Sequence, residues 1–153
     1  MVLGDDFPEP EKLDWIRQRL TPWSVIYVPV HFSNPPPKEK FLVIARVHTD
    51  TLALVINSVP ALFIRRRANL LACQVPIKCS SHTFLSHDSY IDCTESILLK
   101  THEIEEQILS DIRRMKGEIA QDMRQHVINA VKKSPTMPRD LKRELVNELD
   151  PTG

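Results

Sequence analysis

Glycine is scarce in this sequence, and its scarcity excludes one common kind of site. The 153 residues include 3 Gly against 12 Pro. The glycines stand at positions 4, 117 and 153, so none lies between residues 5 and 116. A loop that wraps a nucleotide phosphate needs several glycines where the backbone approaches the ligand. The sequence therefore excludes a glycine-rich phosphate-binding loop.

Long apolar runs and paired cysteines are also missing. No stretch approaches the roughly 18 consecutive apolar residues of a membrane span, and the acidic first ten residues lack the apolar segment of a secretory signal. Cys73, Cys79 and Cys93 cannot all pair, and their spacing is not that of a disulfide framework. The 20 basic and 20 acidic residues give a formal net charge of zero. We therefore expect a reduced, cytoplasmic protein that does not bind membranes.

The middle of the chain is typical of β-strands. Apolar, β-rich runs cover residues 25–32, 41–47, 51–57, 61–64, 70–77, 90–93 and 97–99. The gaps between them are too short for crossover helices, which indicates an antiparallel sheet or a small barrel. A proline-rich polar loop interrupts them at residues 34–37, and an amphipathic helix is predicted over residues 11–20. The predicted fold class is therefore α+β.

After residue 100 the apolar period changes to three or four. The apolar series comprises Ile104, Ile108, Ile112, Met115, Ile119, Met123, Val127 and Val131. It predicts one long C-terminal amphipathic helix of about 30 residues, or about 45 Å. Such a helix is longer than a small barrel is wide, so we expect it to contact a second protein molecule or the short helix predicted after Pro138. The chain then divides into an N-terminal helix with a barrel, residues 1–100, and a helical extension, residues 101–153, that packs on the barrel or on a partner.

Reactive side chains are densest between Cys79 and Cys93, and three kinds of site remain open there. Two cysteines and two histidines could bind zinc: Cys79, His82, His87 and Cys93. A cysteine could act as a nucleophile, and Cys79 is the best placed because it follows a strand among polar residues. The third possibility is metal-free cleavage of RNA, in which the ribose 2′-OH attacks the phosphorus.

RNA cleavage requires a base, an acid and donors to the developing phosphorane charge. The candidate catalytic residues are Ser80, Ser81, His82, His87 and Asp88. The candidate phosphate-binding or RNA-binding residues are Lys38, Lys40, Arg65, Arg66 and Arg67. The same side chains are also typical of a solvated loop and a polar turn.

The order of these segments resembles the PemK/MazF-type toxin family. Residues 24–32 (SVIYVPVHF) and 40–47 (KFLVIARV) are similar to the opening of that family. Residues 71–81 (LACQVPIKCSS) and 84–93 (FLSHDSYIDC) resemble a later segment of divergent PemK-like members. The resemblance covers roughly residues 22–115.

This resemblance implies an SH3-like barrel that forms a homodimer and cuts single-stranded RNA without a metal or other cofactor. It also implies an antitoxin, or another protein partner, that occupies the RNA groove. The family typically has an Arg at the start of the second strand, where this chain has Lys38 or Lys40, and a Ser or Thr that matches Ser80 or Ser81. The leading hypothesis is therefore a toxin-like endoribonuclease. The alternative is a non-catalytic interaction module that acts as an assembly or regulatory subunit through its long helix.

Overall fold

An antiparallel sheet runs through the middle of the molecule, with helices on both of its faces. The computed structural model describes residues 9–31 and 37–152; Phe32, the end of the first predicted strand, and most of the predicted proline-rich loop lie outside these residues. The strands are β1 (Ser24–Val30), β2 (Lys38–Val47), β3 (Asp50–Asn57), β4 (Gln74–Ile77), β5 (Ser89–Asp92), β6 (Ile97–Lys100) and β7 (Met115–Glu118). The helices are α1 (Glu9–Arg19), α2 (Leu62–Arg65), α3 (Ala68–Leu71), α4 (Thr101–Ser110), α5 (Arg124–Lys133) and α6 (Arg139–Leu149).

The sheet is open. Its strand order is β4-β5-β3-β2-β1-β7. Strands β5 and β6 both pair with β3: β6 pairs with its first half and β5 with its last two residues. The α+β class and the antiparallel pairing are as predicted, but the closed barrel is not: β4 and β7 stand at opposite ends of the strand order. Closure is unnecessary because α5 and α6 cover the apolar face that a barrel would bury by curling.

Successive residues of the central strands pack into two different cores. In β2, Leu42 and Ile44 lie on the face covered by α1 and α4, the α1/α4 face. Val43 and Ala45 lie on the opposite face, the α5/α6 face. Because both faces are buried, the central strands read as nearly continuous apolar runs rather than as alternating ones.

The predicted long C-terminal helix is wrong. Helix α4 ends at Ser110 because Asp111 is extended (φ −158°, ψ 99°) and its carboxylate accepts a hydrogen bond from the N–H of Arg113. A strand, β7, follows and pairs with β1, so the chain after Lys100 completes the sheet. The apolar series that suggested one helix comes from two separate helices: Ile104 and Ile108 of α4 pack into one core, and Val127 and Val131 of α5 pack into the other. In the described part of the chain, no helix is long and apolar enough to cross a membrane.

Two other predicted strands are also corrected. Residues 61–64 belong mainly to helix α2, and residues 70–77 divide into the end of α3 and strand β4. Each of these one-turn helices buries a single side chain, Ile64 in α2 and Leu70 in α3. An apolar run with one core contact per turn is helical, although its composition is that of a strand. The short helices predicted near residues 11–20 and after Pro138 are confirmed as α1 and α6.

Candidate functional site

Two lysines at the start of β2 share one face of the sheet. Lys38 pairs with Val30 and Lys40 pairs with Val28 of β1. Directly paired residues of antiparallel strands point to the same face. Val28 and Val30 belong to the core on the α1/α4 face, so both lysines lie on that face, at the end of the sheet where β2 begins.

An asparagine and a tyrosine continue this row across two further strands. The Lys40 Nζ donates a hydrogen bond of 3.0 Å to Oδ1 of Asn57, the last residue of β3. Asn57 pairs in turn with Tyr90 of β5. We call Lys38, Lys40, Asn57 and Tyr90 the lysine row. The sequence-based prediction missed Asn57 and Tyr90; the signal for Asn57 was its position as the first polar residue after an apolar strand.

The lysine row carries positive charge without a matching carboxylate. Burial lowers the pKa of Lys40, and the neighbouring charge of Lys38 lowers it further. Glu39 lies on the opposite face and forms a salt bridge of 2.8 Å with Arg114. Among the described residues, neither lysine has an ion-pair partner. An anion bound here would stabilise the charged form of Lys40 and so offset the cost of its partial burial.

The loop between β4 and β5, residues 78–88, carries most of the predicted catalytic residues and closes on itself. Oδ1 of Asp88 accepts a 3.0 Å hydrogen bond from the N–H of Cys79. That bond, and a second one from the Cys79 thiol, lower the pKa of Asp88. The loop packs through Phe84 against Phe41, whose ring lies 5.6 Å away on the α5/α6 face. The loop therefore reaches the face opposite the lysines.

His82 is held inside the structure. Its side chain is 2 % exposed. Nε2 accepts a 3.0 Å hydrogen bond from the N–H of Ala120. Because Nε2 is an acceptor, Nδ1 carries the proton and donates it to the carbonyl oxygen of Lys78 at 3.0 Å. Nδ1 therefore closes the first turn of the loop, and Nε2 fixes the loop to Ala120, two residues after β7. His82 could exchange a proton with a substrate only after one of these bonds broke.

The remaining predicted residues are exposed but are not assembled by hydrogen bonds. His87 has its Nδ1 3.0 Å from Oγ of Ser86, while Ser80 and Ser81 lie in the turn after β4. In residues 9–31 and 37–152 no hydrogen bond connects these serines to either histidine or to the lysine row. The three arginines at 65–67 are exposed, and no ion pair with the described residues involves them.

The zinc and nucleophile alternatives gain no support. Cys93 is fully buried in the core, away from the exposed His87, and no group of three or more His, Cys, Asp or Glu among the described residues could hold a metal ion. Burial raises the pKa of the Cys73 and Cys93 thiols, and the hydrogen bond to Asp88 raises that of Cys79. A raised thiol pKa reduces the thiolate fraction on which nucleophilic attack depends.

Comparison with protein-family models and with curated proteins identifies no family for this chain. No protein-family model matches the chain, and no curated protein matches it. Membership of the PemK/MazF-type family, the homodimer and the antitoxin therefore stay predictions.

Proposed function

We propose that this chain binds single-stranded RNA through the lysine row and cleaves it without a metal ion. The observation that carries the proposal is a pair of lysines, Lys38 and Lys40, on one strand face with no carboxylate partner among the described residues. Cationic grooves that follow a phosphate backbone, with an aromatic ring for base stacking, are the common means of binding single strands. Tyr90 supplies the ring in the same row.

The proposed reaction needs no protein nucleophile. The ribose 2′-hydroxyl gives up its proton to a base as its oxygen forms a bond to phosphorus. The bond from phosphorus to the 5′-oxygen breaks, and the leaving oxygen takes up a proton from an acid. Lys38 and Lys40 would stabilise the negative charge that develops on the phosphorane oxygens. The lowered pKa of Lys40 also makes its ammonium group a stronger acid than an ordinary lysine. Asn57 would orient Lys40 through their hydrogen bond.

The 78–88 loop supports the proposal because it begins and ends at the same end of the sheet as the lysine row. The part that packs on the opposite face is the Phe84 segment, whereas His87 stands two residues before β5. Ile77 pairs with Ser89, and the next residue, Tyr90, pairs with Asn57. His87, an exposed imidazole in that loop, is the candidate base, and Ser80 and Ser81 are candidate donors to the phosphate. We leave His82 out of the mechanism because both its ring nitrogens are bonded to the backbone, and Asp88 because it closes the loop.

A non-catalytic interaction module is the second candidate. It is favoured by the state of His82, which leaves the lysine row without a hydrogen-bonded acid–base pair. This module would not assemble through a long C-terminal helix, because the described chain has a strand, β7, where that helix was predicted.

A cleavage assay tests the catalytic proposal. Single-stranded RNA is incubated in EDTA with the wild type, Lys40→Ala, His87→Ala and the control Lys100→Ala, which removes an exposed lysine of β6. We expect Lys40→Ala to lower the cleavage rate about 100-fold or more, as loss of a transition-state donor does. We expect His87→Ala to lower it at least about 100-fold, as loss of a general base does. The control should keep the wild-type rate.

RNA binding, measured by fluorescence anisotropy with the same variants, separates the two candidates. Binding by the wild type that is weakened in Lys40→Ala, with no cleavage of any RNA, would support the non-catalytic module. If the wild type neither binds nor cleaves RNA, the lysine row has no role in RNA recognition and the catalytic proposal is wrong, which leaves a module that acts only through protein partners.

A further inference from the structure

Residues 58–72, which connect β3 to β4 through α2 and α3, expose an unusual amount of apolar surface. We call this segment the 58–72 corner. Val59 is 60 % exposed, Leu62 51 %, Phe63 63 % and Leu71 43 %. The only other large apolar side chain that is exposed in the described part of the chain is Leu98. Single exposed apolar residues are ordinary, but four within one short segment indicate an interaction surface.

The geometry of the two short helices explains the exposure of Leu62, Phe63 and Leu71. Helices α2 and α3 have four residues each and bury one side chain apiece, Ile64 and Leu70. Their other apolar side chains cannot reach the core without unwinding the turn. The exposure is thus a consequence of backbone structure, since the turns are held by hydrogen bonds such as those from the N–H groups of Arg66 and Ala72.

The same corner carries positive charge only. Arg65, Arg66 and Arg67 are all exposed, and residues 58–72 contain no acidic residue. No ion pair with the described residues engages any of the three guanidinium groups. Apolar and cationic groups are therefore presented together on one surface.

We propose that the 58–72 corner is a docking surface for a partner protein segment that carries carboxylates beside apolar side chains. Three of the four exposed apolar side chains are aliphatic, and these bury well against a peptide but cannot stack flat on bases. Arginine matches carboxylates bidentately, so three arginines beside an apolar patch select acidic residues at its rim. Two one-turn helices also lack the continuous amphipathic face that lies in a membrane surface.

This assignment goes beyond the RNA-binding proposal and does not depend on it. RNA recognition was assigned to the lysine row, whereas Arg65, Arg66 and Arg67 here contact carboxylates instead of the RNA phosphates expected from the sequence. The two proposals can be told apart, because loss of RNA cleavage leaves this one standing, whereas RNA binding by the three arginines would overturn this one alone.

A random library of 16-residue displayed peptides tests the proposal. Peptides are selected on the wild-type protein, with a counter-selection on Phe63→Ser/Arg66→Glu, which changes one exposed apolar and one exposed basic residue of the corner. The matched control is Leu98→Ser/Lys100→Glu, which makes the same two changes on β6, at the opposite end of β3. We expect the selected peptides to be enriched in Asp and Glu together with Leu, Ile or Phe.

The best selected peptide is then made synthetically, and its affinity is measured by fluorescence anisotropy together with that of a version in which every Asp or Glu is the corresponding amide. We expect the corner variant and the amide peptide each to lose affinity at least tenfold, while the control variant binds as the wild type does. Arg66→Glu alone should show the same direction if the double variant is poorly folded. The proposal is overturned if the selected peptides are not enriched in acidic residues, or if the corner variant binds the peptide as tightly as the wild type does. It is also overturned if the corner variant keeps peptide binding but loses self-association, RNA affinity or binding to phosphatidylserine vesicles.

Discussion

At the scale of single residues, Asp88 and Cys79 form a contact that controls the reactivity of the only partly exposed thiol among the described residues. The Asp88 carboxylate accepts from the Cys79 N–H and also engages the thiol. The thiol hydrogen bond to Asp88 is the main reason why the pKa of Cys79 is raised. Cys73 and Cys93 are buried and cannot react until the protein unfolds.

Removing the charge of Asp88 should therefore make Cys79 more reactive. In Asp88→Asn the pKa of the thiol should fall towards its ordinary value, because the carboxylate no longer stabilises the S–H form. We expect alkylation of Cys79 by iodoacetamide at pH 8 to accelerate roughly three- to tenfold, since one pKa unit changes the thiolate fraction about tenfold. Glu95→Gln, which removes an exposed carboxylate nearby in the sequence, should react like the wild type.

The contact of Asp88 with Cys79 should make the stability of the folded protein fall at low pH, because the pKa of Asp88 is lowered in the folded state. The pKa of Asp88 in the folded protein lies below the ordinary value of about 3.9. The stabilisation that its carboxylate supplies is complete above about pH 4 and disappears as the pH falls through the lower folded pKa.

An alkylation rate in Asp88→Asn equal to that of the wild type would show that the carboxylate does not control the thiol.

At the scale of elements, Gly117 gives β7 a backbone conformation that the predicted helix could not contain. Its φ of +150° is one that side-chain-bearing residues rarely adopt, and a Cβ at this position would only touch the Phe84 ring at an ordinary 3.7 Å. The requirement for glycine is therefore conformational and not steric. Gly117 pairs with Val25 where the register of β7 against β1 shifts, and Lys116 is the extra residue between that pair and the pair of Ile26 with Met115.

Gly117→Ala should destabilise the protein by about 1–3 kcal/mol, the cost of holding a non-glycine residue in a sparsely populated backbone region. The free energy of unfolding in urea measures this loss. Lys116→Ala, in the same strand, should cost no more than about 1 kcal/mol because it removes only a contact over the Tyr27 ring. Equal stability of Gly117→Ala and the wild type would contradict the conformational argument.

The sequence predicted the elements better than it predicted their relative positions. Strands β1, β2, β3, β5 and β6 and helices α1 and α6 lie where the apolar patterns indicated. Lys38 and Lys40 were predicted as candidate phosphate-binding residues, but the contact of Lys40 with Asn57 could not be, because the register of β2 against β3 shifts between Ile44 and Arg46. Continued without this shift, the pairing near the hairpin would place Asn57 opposite Phe41; the shift places it opposite Lys40. A one-residue change of register moves every side chain beyond it to a new partner, and composition does not encode such a shift.

At the scale of the whole molecule, zero net charge means that recognition of a polyanion must depend on local charge. The formal charge of the 153 residues is zero, so the protein as a whole does not attract RNA. Two clusters of positive charge stand out among the described residues, the lysine row and the three exposed arginines of the 58–72 corner, because none of the five ion pairs involves them. The number of phosphates that the RNA contacts is therefore small and can be counted.

The salt dependence of RNA binding counts these contacts. For single strands, the slope of log K against log salt concentration is about −0.7 for each neutralised phosphate. If Lys38 and Lys40 neutralise two phosphates, the slope for the wild type should be about −1.4, and Lys40→Ala should reduce it to about −0.7. Lys100→Ala should leave it unchanged. A wild-type slope near −3.5, the value for five contacts, would instead mean that the three arginines of the 58–72 corner also bind phosphate. That result would contradict their assignment to a protein partner, because the same guanidinium groups cannot be neutralised by RNA and remain free to select carboxylates.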